Sequence, residues 1–205
     1  MKLRIFIMVF ALVLSGCFGS VARYQPQQVN ATGMYTHQPS GSNFPEEFEG
    51  FYRVSITKFD ERENDIGVGY NHKEMPIALT LYIYPEPKVL SFGSPKDVID
   101  LAEQRVFENE FERSVREILL SHQNSKLVTR LNYTLHQSGY RDNGLFAEFS
   151  YVEDFAGKYQ SLNSQLYLFH IGSWIFKYRA TYPETINAKP QIENFMLKFP
   201  MHQDT

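Results

Sequence analysis

The chain has 205 residues, 43% of them hydrophobic, and its 20 Lys and Arg against 23 Asp and Glu give a formal net charge of −3 at pH 7. This balance excludes the strongly basic class of nucleic-acid-binding proteins, which carry clustered Lys and Arg. Because Cys17 is the only cysteine, a disulfide-stapled scaffold is also excluded, and the hydrophobic core must hold the fold.

Residues 1–16 have the layout of a secretory signal peptide. Lys2 and Arg4 form a basic region, residues 5–14 are apolar, and small residues follow. The apolar run is too short to span a bilayer, which takes about 20 residues. We therefore expect this segment to be a cleaved signal rather than a transmembrane helix.

The motif Leu14-Ser15-Gly16-Cys17 at the end of this signal resembles the lipobox of bacterial lipoproteins. The resemblance implies that the Cys17 thiol receives a diacylglyceryl group and that cleavage occurs before Cys17. It also implies that the new amino group is acylated, with palmitate as the expected fatty acid. Two or more acyl chains on one residue make an effectively permanent membrane anchor. The alternative is an incidental cysteine within an ordinary signal peptide.

The residue after the lipobox carries sorting information in bacterial lipoproteins. An aspartate at this position favours retention in the inner membrane, and this chain has Phe18. The resemblance therefore implies the outer membrane, facing the periplasm, in a host that has one. Removal of Lys2 and Arg4 with the signal leaves a mature net charge of about −5, and no nucleic-acid partner is expected.

Residues 17–47 are predicted to form the lipidated N-terminus and a flexible tether. Polar residues, Pro and Gly dominate this segment, and apolar residues do not recur at a helical or strand period. A flexible segment of this length has a reach of about 30 Å. The alternative is that part of it packs as an extended arm, with Met34, Tyr35 and Phe44 in pockets.

Residues 48–205 are predicted to form a single α+β domain. Alternating apolar residues predict strands over residues 50–59, 77–84, 126–137, 145–153, 162–171 and 173–182. A short connection at residues 172–173 indicates a hairpin. The pattern predicts an antiparallel sheet, covered on one face by a long helix and a short C-terminal helix, with a wetter second face.

The long helix is expected to begin with Ser94 as the N-cap and Pro95 at the first helical position. It runs to about Leu120, and the C-terminal helix covers residues 188–198. The apolar stripe of the long helix comprises Val98, Leu101, Ala102, Val106, Phe107, Phe111, Val115, Ile118 and Leu119.

The second half of the chain resembles the PsbP-like fold, which several bacterial lipoproteins share. The resemblance is carried by Tyr151-Val152-Glu153, by residues 165–169, by residues 174–184 with their aromatic-Pro-Glu turn, and by residues 192–200 ending in Lys-Phe-Pro. It implies a non-enzymatic binding or assembly role. The family has no general catalytic signature, so no functional residue is carried over.

No catalytic or metal motif is present in the sequence. The histidines His72, His122, His136 and His170 lie on separate elements without metal-ligand spacing. There is no nucleophile elbow, although a triad assembled from distant residues stays open. We expect no catalytic residue, no metal and no cofactor.

Two rows of polar side chains are candidates for a binding surface. The first row comprises Arg130, Asn132, Thr134, His136, Glu148 and Ser150. These residues are predicted to share one sheet face if their two strands pair. The alternative is that this face is an ordinary solvated one. The second row, Lys177, Arg179 and Thr181, is predicted to point outward. The opposite row of the same strand is predicted to be core: Trp174, Phe176, Tyr178 and Tyr182.

The sequence favours a lipid-anchored, non-catalytic envelope lipoprotein that binds a protein, most simply an envelope protein, or another envelope component. One alternative is a periplasmic domain that binds a small ligand between the long helix and the sheet. A second alternative is an envelope hydrolase with a spatially assembled site.

Overall fold

The computed structural model describes residues 24–90, 92–137 and 139–201. The predicted signal peptide and the predicted lipidation site at Cys17 lie outside the described residues. The described residues form eleven strands and two helices. The strands are β1 (Gln27–Gln28), β2 (Tyr35–Thr36), β3 (Asn43–Phe44), β4 (Glu47–Phe48), β5 (Phe51–Lys58), β6 (Ile66–His72), β7 (Ala78–Pro85), β8 (Lys126–Gln137), β9 (Tyr140–Phe155), β10 (Lys158–Ile171) and β11 (Trp174–Pro183). The helices are α1 (Lys96–Ser121) and α2 (Lys189–Lys198).

One nine-stranded antiparallel sheet organises the domain. Its strand order is β1-β5-β6-β7-β11-β10-β9-β8, β4 pairs with β5 at one edge, and β2 and β3 form a separate two-stranded ribbon. The predicted hairpin joins β10 to β11, where Ile171 pairs with Trp174. The predicted α+β class, with a large antiparallel sheet, one long helix and one short C-terminal helix, is confirmed.

The two helices lie on opposite faces of the sheet, whereas the sequence pattern places both on one face. Leu166 and Leu168 of β10 cluster with α1, and Tyr167 and Phe169 of the same strand belong to the cluster that includes α2. Successive side chains of a strand point to opposite faces, so the continuous apolar run over residues 166–169 is buried on both faces. The wetter second face predicted for this sheet is therefore absent over its centre, because each face has its own helix.

Strand β6 has no counterpart among the predicted strands. It pairs with β5 and β7 along its length although it contains Gly67 and Gly69, which weaken a strand intrinsically. A Cβ atom at Gly69 would lie 2.5 Å from the Oγ of Ser55. Glycine at position 69 therefore lets the two strands pair closely beside the register irregularity that lies between Arg53 and Ser55 of β5.

The described part of the predicted tether packs on the domain, as in the alternative of an extended arm. Phe44 is fully buried, and its ring centroid lies 5.3 Å from that of Phe199 beyond α2. The guanidinium of Arg53 donates hydrogen bonds to the carbonyl oxygens of Phe44 and Ala31. The domain boundary predicted at residue 48 is thus corrected for residues 24–47, because aromatic side chains in this polar segment bind into the core.

Helix α1 begins one residue later than predicted, with Pro95 rather than Ser94 in the N-cap position. The Pro95 carbonyl accepts hydrogen bonds from the backbone N–H groups of Val98 and Ile99 at 3.1 and 3.2 Å. Only the C-terminal half of the predicted apolar stripe is buried: Phe111, Val115 and Ile118 face the sheet. The N-terminal half extends beyond the sheet and leaves Val98 51% exposed.

Candidate functional site

The first polar row does not form one surface. Strands β8 and β9 pair as expected, but Arg130 lies opposite Ala147, and Glu148 lies opposite Thr129. Directly opposite residues of paired strands point to the same face, so Arg130 shares the α1 face with Ala147. Glu148 and Ser150 point to the other face. The predicted set is therefore split by the register of the pairing, which sequence alternation alone does not reveal.

Part of this row lines a solvent-open trough on one flank of α1. The trough has a volume of about 670 Å³, and its lining includes Arg130 and Asn132. Arg130 pairs with Glu112 of α1 at 2.6 Å, and their side chains are 56% and 36% exposed. An exposed ion pair of this kind contributes about 0–1 kcal/mol and satisfies both charges. This flank thus has the properties of an ordinary solvated face, the alternative that the sequence left open.

The other flank of α1 forms a second groove, which we call the Lys177 groove. It has a volume of about 340 Å³ and lies between α1 and strands β7 and β11. Its lining residues are Phe59, Tyr82, Ser114, Glu117, Ile118, Ser121, Leu166, Lys177 and Arg179. Lys177 and Arg179 were predicted to point outward; they lie instead along the flank of α1 because β11 is an inner strand of the sheet. The opposite row is core as predicted, with Phe176, Tyr178 and Tyr182 buried and Trp174 half-buried.

Lys177 is the chemically distinctive residue of this groove. Its Nζ atom lies 3.5 Å from the Ser114 hydroxyl oxygen, and 4.9 and 5.2 Å from the ring centroids of Tyr82 and Tyr84. Burial lowers the pKa of the Lys177 ammonium, and the negative charges of the nearby glutamates oppose that shift. Among the described residues, no carboxylate forms an ion pair with Lys177.

The buried carboxylate of Glu110 already has other hydrogen-bond partners and does not pair with Lys177. Glu110 is buried on α1, where it accepts hydrogen bonds from the Tyr84 hydroxyl at 2.7 Å and from Arg113 at 2.6 Å. Burial, followed by the hydrogen bond to Glu110, raises the pKa of Tyr84 well above its usual range. Glu110 therefore fixes the Tyr84 hydroxyl beside the groove. The polar contacts of the Lys177 ammonium are the faces of the Tyr82 and Tyr84 rings and the Ser114 hydroxyl.

Arg179 is held at the far end of the groove by a polar cluster. Its guanidinium contacts Nε2 of His122, and Nδ1 of His122 lies 2.7 Å from the Glu153 carboxylate. The His122 ring stacks on Tyr151 with centroids 4.1 Å apart and planes 12° apart. Because a guanidinium can only donate, this arrangement suits Nε2 as the acceptor and Nδ1 as the donor. The cluster fixes the guanidinium of Arg179, which also lines the groove.

The other named histidines have separate surroundings. His72 Nδ1 accepts hydrogen bonds from the backbone N–H groups of Glu74 and Met75, His170 lies 2.9 Å from Glu86, and His136 is exposed. Within residues 24–90, 92–137 and 139–201, no three His, Asp or Glu side chains gather as metal ligands. The structure therefore does not bring these histidines into one site.

The sequence does not predict three polar side chains near the groove: those of Glu110, Tyr84 and Asp65. Glu110 and Tyr84 meet only because α1 lies across β7, and Asp65 reaches the same region from the start of β6. Burial raises the pKa of Asp65 to about 6, although the positive charge of Lys177 opposes the shift. The acidic run that contains Asp65 looks like a solvated turn in the sequence, so no local pattern marks this carboxyl as partly buried.

Comparison with solved structures shows distant similarities of fold. The chain is similar to the solution structure of cyanobacterial PsbP (CyanoP) from Synechocystis sp. PCC 6803, at 14% sequence identity and a TM-score of 0.40, over 89% of this chain and 94% of that chain. No family model matches the chain, and no curated protein matches it in sequence. Neither described helix has the length and apolar character needed to cross a bilayer.

Proposed function

We propose that this chain is a lipid-anchored, non-catalytic bacterial envelope protein whose domain binds an envelope protein, or another envelope component, through the Lys177 groove. The observation that carries the proposal is the Lys177 ammonium, which is largely buried, lines an open groove and has no carboxylate partner among the described residues. The lipobox motif at residues 14–17 supports the envelope location, and the PsbP-like resemblance of residues 151–200 implies the same non-enzymatic class.

An unpaired buried ammonium destabilises a fold unless something compensates its lost hydration. An apolar side chain of similar length, such as Met, would fill the same space without that penalty. Charged groups whose pKa is shifted by burial inside a cleft are candidates for functional sites. A partner that places a carboxylate, phosphate or carbonyl oxygen in the groove would supply the acceptor that Lys177 lacks.

The walls of the groove suit a macromolecular partner. Phe59 and Tyr82 lie with ring centroids 6.1 Å apart on the sheet side, and Glu117 and Ser121 are exposed on the helix side. Aromatic anchors beside a charged group are typical of the centres of protein interfaces. The groove volume of about 340 Å³ also falls within the range of ligand pockets, which is roughly 300–1,000 Å³. A small anionic ligand is therefore the second candidate occupant.

The Cys17→Ser variant tests the anchor. The serine hydroxyl cannot replace the thiol to which the diacylglyceryl group is attached, so the variant should lose both the lipid label and its membrane association. Metabolic labelling with a fatty acid and membrane fractionation measure the two effects. Unchanged labelling and fractionation of the variant would contradict the lipid-anchored assignment.

The Lys177→Met variant tests the groove, and it should be more stable but inactive in binding. Because burial lowers the pKa of Lys177, the charged form is disfavoured in the folded state at neutral pH. Its removal should raise the free energy of unfolding by about 1 kcal/mol, the low end of the desolvation penalty of a buried polar group, because the contacts with Ser114 and the two tyrosine rings already offset part of that penalty. The advantage should shrink as the pH rises through the lowered pKa of Lys177 towards the ordinary range of lysine, because the folded protein then gives up the buried charge more readily than the unfolded chain does. Thermal unfolding at pH 7 and pH 10 measures both effects.

Photo-crosslinking in cells measures binding in the same variant. A photoreactive side chain at Ser121, on the rim of the groove, should give a partner adduct that Lys177→Met abolishes. Lys158→Met, at an exposed lysine far from the groove, serves as the matched control and should change neither stability nor the adduct. An adduct that is equally strong from Leu197 on α2, or that survives Lys177→Met, would contradict the groove as the binding site. Loss of the adduct on addition of a small anion alone would favour the second candidate.

A further inference from the structure

The segment between β7 and α1 exposes apolar side chains at one end of the sheet. Leu90 is 76% exposed and Phe92 is 91% exposed, and Val98 and Leu101 on the first turns of α1 are about half exposed. We call these four residues the apolar tip. Lys88 and Lys96 flank it in sequence, and both are exposed. Large apolar side chains grouped on a surface mark a site of interaction.

The strand register places the tip at the same end of the sheet as the start of the described chain. Pro85 of β7 pairs with Trp174 at the β10–β11 hairpin, and the chain continues outward from there. Gln27 of β1 pairs with Lys58, and Lys58 pairs with Ile66 at the same end. The first described residues and the apolar tip therefore lie at the same end of the sheet.

The geometry of α1 extends the tip outward at this end. Phe107 contacts His170 near the end of β10, and His122 contacts Arg179 towards the opposite end of the sheet. The helix therefore runs inward from the tip, and the turns before Phe107 lie beyond the edge of the sheet. Val98 and Leu101 are exposed for this reason, and they extend the surface formed by Leu90 and Phe92.

The chain that precedes the described residues limits the distance to the membrane. Seven peptide steps separate Cys17 from Tyr24, and a fully extended chain covers at most about 3.6 Å per residue, or about 25 Å in total. Strands β1 and β7 are three strands apart, which corresponds to about 15 Å. An anchor at Cys17 would therefore hold the tip within reach of the bilayer surface.

We propose that the apolar tip inserts into the bilayer interface beside the lipid anchor, so that the domain sits on the membrane in one orientation. This inference rests on the proposed lipid anchor at Cys17. Leu90, Phe92, Val98 and Leu101 would enter the boundary between headgroups and acyl chains. Lys88 would contact lipid phosphates, and Lys96 would exchange its exposed ion pair with Asp100 for the same contact. The β5–β6 turn at the same end carries Asp60, Glu61 and Glu63, so the insertion is confined to the β7–α1 side. The Lys177 groove, on the flank of α1, stays accessible to a partner.

Fluorescence quenching by brominated lipids tests the insertion. The full-length lipidated protein would carry Trp174→Phe, which removes the only tryptophan, together with Phe92→Trp as the probe. In vesicles of phosphatidylethanolamine with a minor fraction of phosphatidylglycerol, bromine on the upper acyl chain should cause a large loss and a blue shift of the Phe92→Trp emission. The matched control is Tyr159→Trp, which replaces an aromatic residue 74% exposed at the opposite end of the sheet and should keep its emission.

The outcomes separate this inference from the proposed anchor. Equal quenching at the two positions, or none at position 92, in protein whose Cys17 acylation is verified by mass spectrometry overturns the insertion and leaves the anchor intact. Crosslinking of position 92 to a protein instead of quenching by lipid also overturns it. If Cys17 proves unacylated, the same unlipidated protein is added to the vesicles. Quenching at position 92 on co-sedimentation then supports the insertion alone, and its absence overturns it.

Discussion

Replacement of Phe44 by Ala is expected to lower the free energy of unfolding by about 3–5 kcal/mol, the usual cost of emptying a large buried aromatic site. Phe44 has no exposed surface, and its ring packs against Phe199 and Tyr35 with centroids 5.3 and 6.1 Å away. The position lies in the segment that the sequence predicts to be a flexible tether, where such a loss would not occur. Urea denaturation of the unlipidated Cys17→Ser protein measures it.

Met34→Ala provides the control within the same segment. Met34 is 59% exposed, so its truncation should change stability by less than about 0.5 kcal/mol. A protein that starts at Glu46 should lose at least as much stability as Phe44→Ala. It lacks the Phe44 ring and also the two carbonyl acceptors of Arg53. Equal and small effects of Phe44→Ala and Met34→Ala would mean that the segment is a detached tether after all.

The sequence predicts the strands that alternate regularly and misses those that do not. Strands β7, β10 and β11 are visible because large apolar residues recur at period two. Strand β6 is not predicted because Gly67 and Gly69 occupy one of its faces and leave no apolar alternation there. Bulkier side chains at these positions would clash with Tyr82 or Ser55. The buried position of Phe44 is hidden for a related reason, since a single aromatic residue among polar neighbours has no period.

The placement of side chains on sheet faces depends on register, which no single segment encodes. Arg130 and Glu148 have the same parity in the sequence but lie on opposite faces, because Arg130 pairs with Ala147. Similarly, the sequence shows that α1 is amphipathic but does not show which strands it crosses. Lys177 therefore looked like a solvated lysine, and its burial beside Tyr84 and Ser114 became visible only in the folded chain.

Replacement of Phe111 by Ala should lower the free energy of unfolding by about 3–5 kcal/mol, because it empties the centre of the contact between α1 and the sheet. Phe111 is buried in a cluster with Val115 and Ile118 of α1 and with Phe149 and Leu166 of the sheet. Chemical denaturation of the unlipidated protein measures the loss. The same helix supplies a matched control, since Val98 belongs to the predicted apolar stripe but is 51% exposed beyond the sheet.

Val98→Ala should change stability in solution by less than about 0.5 kcal/mol. The contrast separates the two halves of α1, of which only the C-terminal half contributes to the core. A loss at Val98 as large as that at Phe111 would mean that the N-terminal turns also pack on the domain, and the apolar tip would then be unavailable to the membrane. A small loss at both positions would mean that the helical phase is wrong and that another face of α1 meets the sheet.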